Sequence, residues 1–413
     1  MIDTRPTVLL AAYRGRSITA DILQLFKQAN CIIDVHNTRR SLLSKSRAVR
    51  AWHTVSVRRQ KDYGEALLSH ILRSSYDWIV ILDDHTLRIM NELIQDDKIA
   101  RNILPLSKLE NRSVLGSKVA LAHLSTTYGL SAPPSVIHIL GEDIMAGVAH
   151  VSFPLLLKVD ESNGGQWMSR CDNESELRIK LRELPMEQRK GRGVVLQRYI
   201  QGESIAGEAL YKQGSLCAYA TSKVEQTIGG EFSASCVRRY SPHPQAVEAM
   251  RRAGESLGIN GFCSFTFMRD VKADVYYLVE ADMRPHAWFT LARFAGVDFS
   301  SAIRDYLSHS NTAVISPTMP DTSAEVRYFE RDVYRMMQGR DLAGLAQWIF
   351  NTEGRWRFIP LYDVRSFIFA LEELLYPYVY RFVSAHPAVG VTKRNVKHAF
   401  SVFRQSKQPK VRQ

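Results

Sequence analysis

Short apolar runs alternate with amphipathic segments over the first hundred residues, and this alternation constrains the fold more than any other feature. TVLLAAY (7–13), CIIDVHN (31–37) and YDWIVILDD (76–84) have the length and composition of buried strands. ITADILQLFKQAN (18–30) and TLRIMNELI (86–94) have the spacing of amphipathic helices. Strands that alternate with helices form parallel sheets with right-handed crossovers, so the sequence predicts an N-terminal α/β domain.

Parallel sheets of this kind often bind a dinucleotide at the first strand-to-helix turn. That turn, AAYRGRS (11–17), contains one glycine where the dinucleotide fingerprint needs three. We therefore expect no cofactor in the first domain.

The charge distribution limits the class of partner. Residues 1–60 hold 11 Lys/Arg against 3 Asp/Glu, and residues 309–413 hold 15 against 9, out of a net charge of +12. Basic surfaces attract nucleic acids, anionic lipids or anionic small molecules. No zinc-finger spacing or RNA-binding aromatic signature accompanies these charges, so we expect no nucleic-acid partner. The last 21 residues, with 7 Lys/Arg and no acid, are expected to form a solvated tail.

Cysteine use and apolar segments indicate the compartment. The five cysteines are odd in number and form no C-x-x-C pair, which argues against a disulfide framework and a zinc site. The N-terminal apolar run of six residues is too short for a signal peptide or a membrane span. We expect a cytoplasmic protein. The run SFIFALEELLYPYVYRFV (366–383) predicts a helix packed on the core, with contact to a membrane surface as the alternative.

Several charged residues stand at the ends of apolar elements. Lys118 begins a helix, where it could be a surface lysine, and Lys158 ends the apolar run FPLLLK. A charge after such a run must leave the core or find an anion. Glu280 and Asp282, in LVEADMRPH, are two residues apart on a predicted strand and therefore face the same side. They are either a solvated strand face or a cation site.

Taken in order, these motifs resemble the ATP-grasp superfamily. The resemblance runs from about Val8 to Leu307, roughly three quarters of the chain. It rests on SK before a helix ending in GLSAPP, PLLLK followed by a glycine loop, VLQRYIQGES, and YYLVEADMRP, where the family has E-x-N-x-R. Within the superfamily the sequence is most similar to carboxylate–amine ligases.

The resemblance implies an ATP-grasp fold, α/β overall and α+β in its nucleotide-binding part, with a Rossmann-like N-terminal domain. The implied divisions are an N-terminal domain at 1–108, an ATP-grasp domain at 109–310 with a lid at about 135–195, and a helical extension with a basic tail at 311–413.

The resemblance also implies roles for individual residues, with ATP and Mg²⁺ as cofactors. Lys118 and Lys158 would contact the ATP phosphates, and Gly164 and Gly165 would lie in the loop that closes over them. The remaining implied groups are the adenine-reading hinge at Gln197, Arg198, Tyr199 and Ile200, a ribose acceptor at Glu203, Mg²⁺ ligands at Glu280 and Asp282, and Arg284 at the transferred phosphoryl group.

Two positions depart from the family pattern. Thr266 stands where the family has an acidic or amide metal ligand, about fourteen residues before Glu280. Asp282 stands where the family has asparagine. The aspartate restores the negative charge that is lost at Thr266. The nearby Asp270 is expected past the end of its strand.

The implied reaction is ATP-dependent joining of a carboxylate to an amine through an acyl phosphate. His286 and Arg239 are weaker candidates for substrate contact, and the basic residues Arg238, Arg239 and Arg284 would suit an anionic carboxylate substrate. We expect small-molecule carboxylate and amine substrates and a homodimer. The alternatives are a catalytically weak nucleotide-binding scaffold and a protein whose basic ends bind a ligand or nucleic acid.

Overall fold

The computed structural model describes residues 4–13, 16–38, 41–57, 59–140, 144–160, 167–185, 191–308 and 323–385. Within these ranges no helix combines the length and apolarity needed to cross a membrane. All five cysteines are buried free thiols.

The N-terminal region is a four-stranded parallel sheet in the order β3-β2-β1-β4, as the alternating pattern predicts. Its strands are β1 (Thr7–Ala12), β2 (Ile32–Asn37), β3 (Val49–Thr54) and β4 (Trp78–Ile81). Its helices are α1 (Arg16–Gln28), α2 (Gln60–Leu72), α3 (Asp84–Leu93) and α4 (Asp97–Ile103). Strand β3 was not predicted, because it is a half-exposed edge strand without an apolar run.

A smaller antiparallel sheet follows, in the order β5-β8-β6-β7. Its elements, with the preceding helix, are α5 (Lys118–Thr127), β5 (Ser135–Ile139), α6 (Met145–Val148), β6 (Leu155–Val159), β7 (Met168–Cys171), α7 (Glu174–Glu183) and β8 (Gly193–Arg198). Leu155, Leu157, Val194 and Leu196 form its core with Leu177 of α7. We call this unit the small sheet.

The largest sheet has six strands in the order β13-β12-β9-β10-β11-β14, and all of its pairings are antiparallel. Its strands are β9 (Glu203–Lys212), β10 (Ser215–Thr227), β11 (Ser235–Tyr240), β12 (Gly261–Asp270), β13 (Val275–Asp282) and β14 (Ala324–Arg327). Helix α8 (Pro244–Leu257) covers one face through Met250 and Leu257, packed with Ile205 and Tyr211 of β9. We call this the α8 face.

The opposite face of the large sheet, here the inner face, packs toward the N-terminal region. Leu210 and Phe262 lie in one core with Phe26 of α1 and with Trp288. The helices that close this side and continue the chain are α9 (Ala287–Leu291), α10 (Phe299–Leu307), α11 (Phe329–Gly339), α12 (Leu342–Ile349) and α13 (Val364–Ala385).

The prediction that the chain is helical beyond residue 311 needs one correction. Ala324–Arg327 forms β14, which pairs with β11 at the edge of the large sheet. The strand was missed because four residues that alternate small, charged and apolar side chains give no periodic signal. Helix α13 packs on the core through Phe369, Ala370 and Leu374, all buried.

Gly202 connects the small sheet to the large one, and its lack of a side chain is structurally required. A Cβ atom at this position would overlap the backbone carbonyl of Arg269 on β12. We expect Gly202→Ala to lower the free energy of unfolding by about 1–3 kcal/mol, because backbone must move to relieve the overlap. Urea unfolding measures this.

Gly230→Ala is the control, since a Cβ there would meet nothing within 4 Å. Equal destabilisation by both substitutions would contradict the packing argument.

Candidate active site

A one-residue bulge in β13 determines which way the two predicted metal ligands face. Leu278 lies opposite Phe267 of β12, whereas Glu280 lies opposite Thr266, so Val279 is an extra residue in the ladder. Directly opposed residues share a face of the sheet. Phe267 and Leu278 belong to the core under α8. Glu280 therefore points to the inner face with Thr266.

Asp282 joins Glu280 on the inner face, because it lies opposite Ser264 of β12. Glu280 is exposed and the side chain of Asp282 is 31% exposed, so both carboxylates border solvent at this edge. Burial is the largest cause that raises the pKa of Asp282 to about 8, and the negative charges of Glu280 and Asp84 add to it. The positive charges of Arg284 and Lys118 oppose this shift.

Lys158 bridges the small sheet and the large sheet. It ends the apolar run of β6 and is only 6% exposed. Its Nζ donates to Gln197 Oε1 at 2.7 Å and to the carbonyl of Val279, the bulged residue, at 3.4 Å. Burial lowers the pKa of Lys158 to about 8, with the Lys118 charge adding to this effect and Glu280 opposing it. The amine is thus held at the junction of both sheets, and no carboxylate of the described residues accepts a hydrogen bond from it.

Lys118 begins α5 and is positioned by an acidic residue that sequence reasoning missed. Asp160 Oδ1 accepts from the backbone N–H of Lys118 at 2.7 Å, and its Oδ2 accepts from Ser117 Oγ at 2.8 Å. A carboxylate at a helix N-terminus satisfies free N–H groups and is favoured by the helix dipole. The charge of Lys118 acts on both Asp282 and Lys158, which places the two lysines and the carboxylate pair in one electrostatic neighbourhood.

Arg284 ties this edge of the large sheet to the N-terminal region. Its Nε and Nη2 donate to the two carboxylate oxygens of Asp84 at 2.7 and 2.8 Å, and Nη2 also reaches Asp282 Oδ2 at 3.2 Å. Asp84 begins α3, and the Arg284 charge holds its pKa below the usual range against burial. Asp84 is a second site residue that the sequence did not identify.

The carboxylate pair fits a magnesium ion. Mg²⁺ in proteins is usually held by one or two carboxylates, waters and substrate phosphates. Glu280 and Asp282 supply two carboxylates, and the charge of Glu280 contributes to the raised pKa of Asp282, an effect that a divalent cation would offset. Thr266 adds a neutral hydroxyl directly opposite Glu280. Among the described residues no group of three or more His, Cys, Asp or Glu side chains could hold a metal.

The predicted hinge runs from the end of β8 toward β9. Gln197 is buried beside Lys158. The backbone N–H groups of Arg198 and Tyr199 donate to the carbonyls of Pro134 and Pro154 at 2.9 and 3.0 Å. Ile200 is buried. Two hinge amides are therefore engaged within the protein, and an adenine would have to be read by other backbone groups of the segment.

Glu203 lies away from the carboxylate pair. It sits opposite Arg269 of β12, on the α8 face, and its carboxylate pairs with Lys223 Nζ at 2.7 Å and Arg269 Nη1 at 3.3 Å. Its predicted role toward a ribose stays a prediction, since the carboxylate is already held by two cations. Gly164 and Gly165 lie outside the described residues.

The inner face also carries an ion pair that the sequence did not reveal. Glu208 of β9 is fully buried and its Oε1 accepts from Arg238 Nη1 of β11 at 2.6 Å. His286 Nε2 lies 3.9 Å from the same oxygen. A charge within the apolar run of β9, SIAGEALY, was the signal available, because a buried charge requires a partner.

Arg239, predicted to contact substrate, points the other way. It lies opposite Lys223 on the α8 face and pairs with Glu225 and Glu325 at 3.0 Å each. Arg238 is the neighbour that enters the inner face, because successive strand residues alternate sides. Asp270 ends β12 and accepts from the N–H groups of Lys272 and Ala273 in the following turn, so it is remote from the pair.

Solved structures provide the comparison that sequence does not. No protein-family model matches the chain, and no curated protein matches its sequence. The biotin carboxylase domain of 2-oxoglutarate carboxylase from Hydrogenobacter thermophilus is 17% identical, with a TM-score of 0.59 over 78% of this chain and 74% of that one.

Two further structures match at similar quality. An L-amino acid ligase from Bacillus licheniformis is 15% identical, with a TM-score of 0.58 over 78% of this chain and 79% of the ligase. The N5-carboxyaminoimidazole synthetase from Staphylococcus aureus is 11% identical, with a TM-score of 0.60 over 82% and 86%. Likeness at such identities establishes the fold. This chain has the ATP-grasp fold.

Proposed function

We propose that this protein is an ATP-dependent ligase that joins a carboxylate to an amine through an acyl phosphate, releasing ADP and phosphate. The observation that carries the proposal is the convergence of Lys158, Lys118 and Arg284 on one edge of the large sheet with Glu280 and Asp282. Three cations beside a carboxylate pair suit a triphosphate held with Mg²⁺.

The first step places negative charge where the chain has cations. A substrate carboxylate oxygen attacks the γ-phosphorus, and the bond to the ADP oxygen breaks. Lys158 and Lys118 neutralise phosphate charge from the small-sheet side, and Arg284 does so from the large-sheet side. Glu280 and Asp282 would hold Mg²⁺, which would supply additional positive charge to the phosphates.

In the second step the neutral amine attacks the acyl carbon, the bond from this carbon to the phosphate oxygen breaks, and the proton lost by nitrogen leaves with the phosphate as hydrogen phosphate. This step needs the acyl phosphate shielded from water, and Trp288 of α9 packs in one core with Leu210 and Phe262 of the inner face. Support comes from fold neighbours whose structures contain MgADP, ADP and bicarbonate, or ADP, and from one named as an L-amino acid ligase. We extend to this chain the use of ATP, Mg²⁺ and small-molecule substrates, and a homodimeric state.

The test is ADP formation from MgATP with a panel of amino acids, together with hydroxylamine as a trap for the acyl phosphate. We expect Lys158→Met to weaken nucleotide binding at least tenfold, because it removes a phosphate-facing charge. MgADP should raise the melting temperature of the parent protein and not that of this variant.

Lys180→Met is the matched control, since Lys180 is a lysine on α7 that pairs with Glu183 at the surface. Nucleotide stabilisation without ADP formation from any substrate pair would favour the scaffold alternative. If MgADP did not raise the melting temperature of the parent protein, the proposed ATP site would be contradicted.

Lys158 also predicts a pH dependence of the nucleotide-free protein. Its pKa is about 8 when folded and 10.5 when unfolded, so between these values the unfolded chain binds more of this proton. Folding stability therefore gains from this group as pH rises through that window. Lys158→Met lacks this titrating group. The free energy of unfolding of the variant minus that of the parent should therefore fall by roughly 2 kcal/mol between about pH 7 and about pH 9.5.

Urea unfolding of both proteins across this pH range measures the difference. A difference that stays constant with pH would show that Lys158 is not held as a desolvated amine.

Arg284 supplies a prediction for the chemical step. Arg284→Lys keeps the charge but cannot hold both oxygens of Asp84, so the cation loses its position. We expect ADP formation to fall about 100-fold or more, with nucleotide affinity within about threefold of the parent.

Arg251→Lys, at an exposed arginine that also makes two-point contacts, to Glu248, is the control. A matching loss of nucleotide affinity and turnover in Arg284→Lys would instead assign Arg284 to ground-state binding.

A further inference from the structure

Four buried polar atoms on the inner face have no hydrogen-bond partner among the described residues. They are Glu208 Oε2, Ser264 Oγ, Ser222 Oγ and Trp288 Nε1, and they make up four of the ten such side-chain atoms found among the described residues. Buried polar groups are almost always satisfied by protein, water or ligand. Their concentration on one side of one sheet therefore marks a place where a polar molecule binds.

Strand register shows that these atoms belong together. Ser264 lies directly opposite Glu208 on one side and opposite Asp282 on the other. Ser222 lies opposite Ala206, two residues before Glu208 on the same strand face. The Arg238 guanidinium, paired with Glu208, stacks 4.3 Å above the Trp288 ring.

The same register fixes the distance from the phosphate-binding edge. Glu208, Ser264 and Asp282 form one row across three adjacent strands. With strands about 4.8 Å apart, the Cα atoms of Glu208 and Asp282 are about 10 Å from each other. Side chains on one face stand roughly perpendicular to the sheet, so the two carboxylates are separated by a similar distance, which a small molecule can span.

The charges select the ligand. Burial, as the largest cause, raises the pKa of Glu208 despite its bond to Arg238, so the carboxylate is incompletely compensated. His286 does not supply the missing charge, because burial and neighbouring arginines keep its pKa well below the usual value and the imidazole neutral. Glu208 Oε2 thus lacks a cationic donor, and Trp288 Nε1, which can only donate, lacks an acceptor.

We propose that Glu208 and Ser264 form the amine subsite of this ligase, and that its ligand is a primary ammonium carrying an acceptor oxygen, as in an α-amino acid. The subsite rests on the proposed function for its place in the reaction. The ammonium binds Glu208 Oε2 and gives one proton to this carboxylate to become the nucleophilic amine, while the acceptor oxygen accepts from Trp288 Nε1. Asp282 lies two strands away in the same row, and the acyl phosphate forms between them.

The experiment uses the full chain with MgADP and each of the twenty standard amino acids as probes, measured by thermal shift and by calorimetry. For each amino acid that binds, the α-hydroxy acid of the same side chain is the matched probe without an ammonium. We expect binding of the amino acid and at least tenfold weaker binding of the hydroxy acid.

Glu208→Gln should weaken amino acid binding at least tenfold and leave MgADP affinity unchanged. Because this variant leaves Arg238 without its partner, it could lose stability. Ser264→Ala is the second variant, since its hydroxyl bonds no protein group and its removal should not harm folding. We expect it to weaken amino acid binding about threefold to tenfold.

Glu225→Gln is the control, because Glu225 is a paired glutamate on β10 whose partner Arg239 faces α8. Amino acid binding that is unchanged in both Glu208→Gln and Ser264→Ala would overturn the subsite, as would equal binding of amino and hydroxy acids, or no binding of any amino acid by the parent. Binding that depends on Glu208 without any ADP formation would keep the subsite and overturn the proposed function.

Discussion

The extra residue at Val279 is the constraint on which the arrangement of the site depends. Without it, Glu280 and Asp282 would continue the alternation of Leu278 and face the apolar core under α8, where two carboxylates could not remain charged. The bulge turns both onto the inner face. It also places the Val279 carbonyl where it accepts a hydrogen bond from Lys158 Nζ. The bulge therefore orients the two carboxylates and positions the neighbouring lysine.

The site is assembled from three separate units, and buried charge contacts join them. Lys158 of the small sheet donates to the Val279 carbonyl of the large sheet. Arg284, which follows the last residue of β13 by two positions, pairs with Asp84 of α3. Buried ion pairs contribute little net stability over apolar packing, yet breaking one leaves an uncompensated charge. These contacts therefore fix geometry more than they add stability. A ligand that binds between the units acts on surfaces that the contacts already hold in place.

Sequence patterns identified the residues that stand at element boundaries. Lys158 ends an apolar run, and Glu280 with Asp282 breaks one, so their charges were conspicuous. Glu208 was not predicted as a site residue, and Arg238 was not distinguished from Arg239, because which of two adjacent residues faces inward depends on strand register. The role of Arg239 toward a substrate stays a prediction, and register alone shows that Arg238 is the one of the two that enters the inner face. Strands β3, β5, β7, β9, β11 and β14 were also missed, since pairing with neighbours stabilises them more than their own apolar pattern does.

At the proposed metal site, the negative charge is redistributed and not lost relative to the ATP-grasp pattern. Thr266 supplies no charge, but it lies directly opposite Glu280 and keeps a hydroxyl oxygen at that position. Asp282 adds a carboxylate, and Arg284 balances it at 3.2 Å while remaining bound to Asp84. Because one or two protein carboxylates are usual for Mg²⁺, Glu280 and Asp282 would be sufficient for the proposed metal site. The negative charge therefore lies at Asp282, beside Arg284, and not at position 266. This places it nearer to the phosphoryl group that Arg284 is proposed to stabilise.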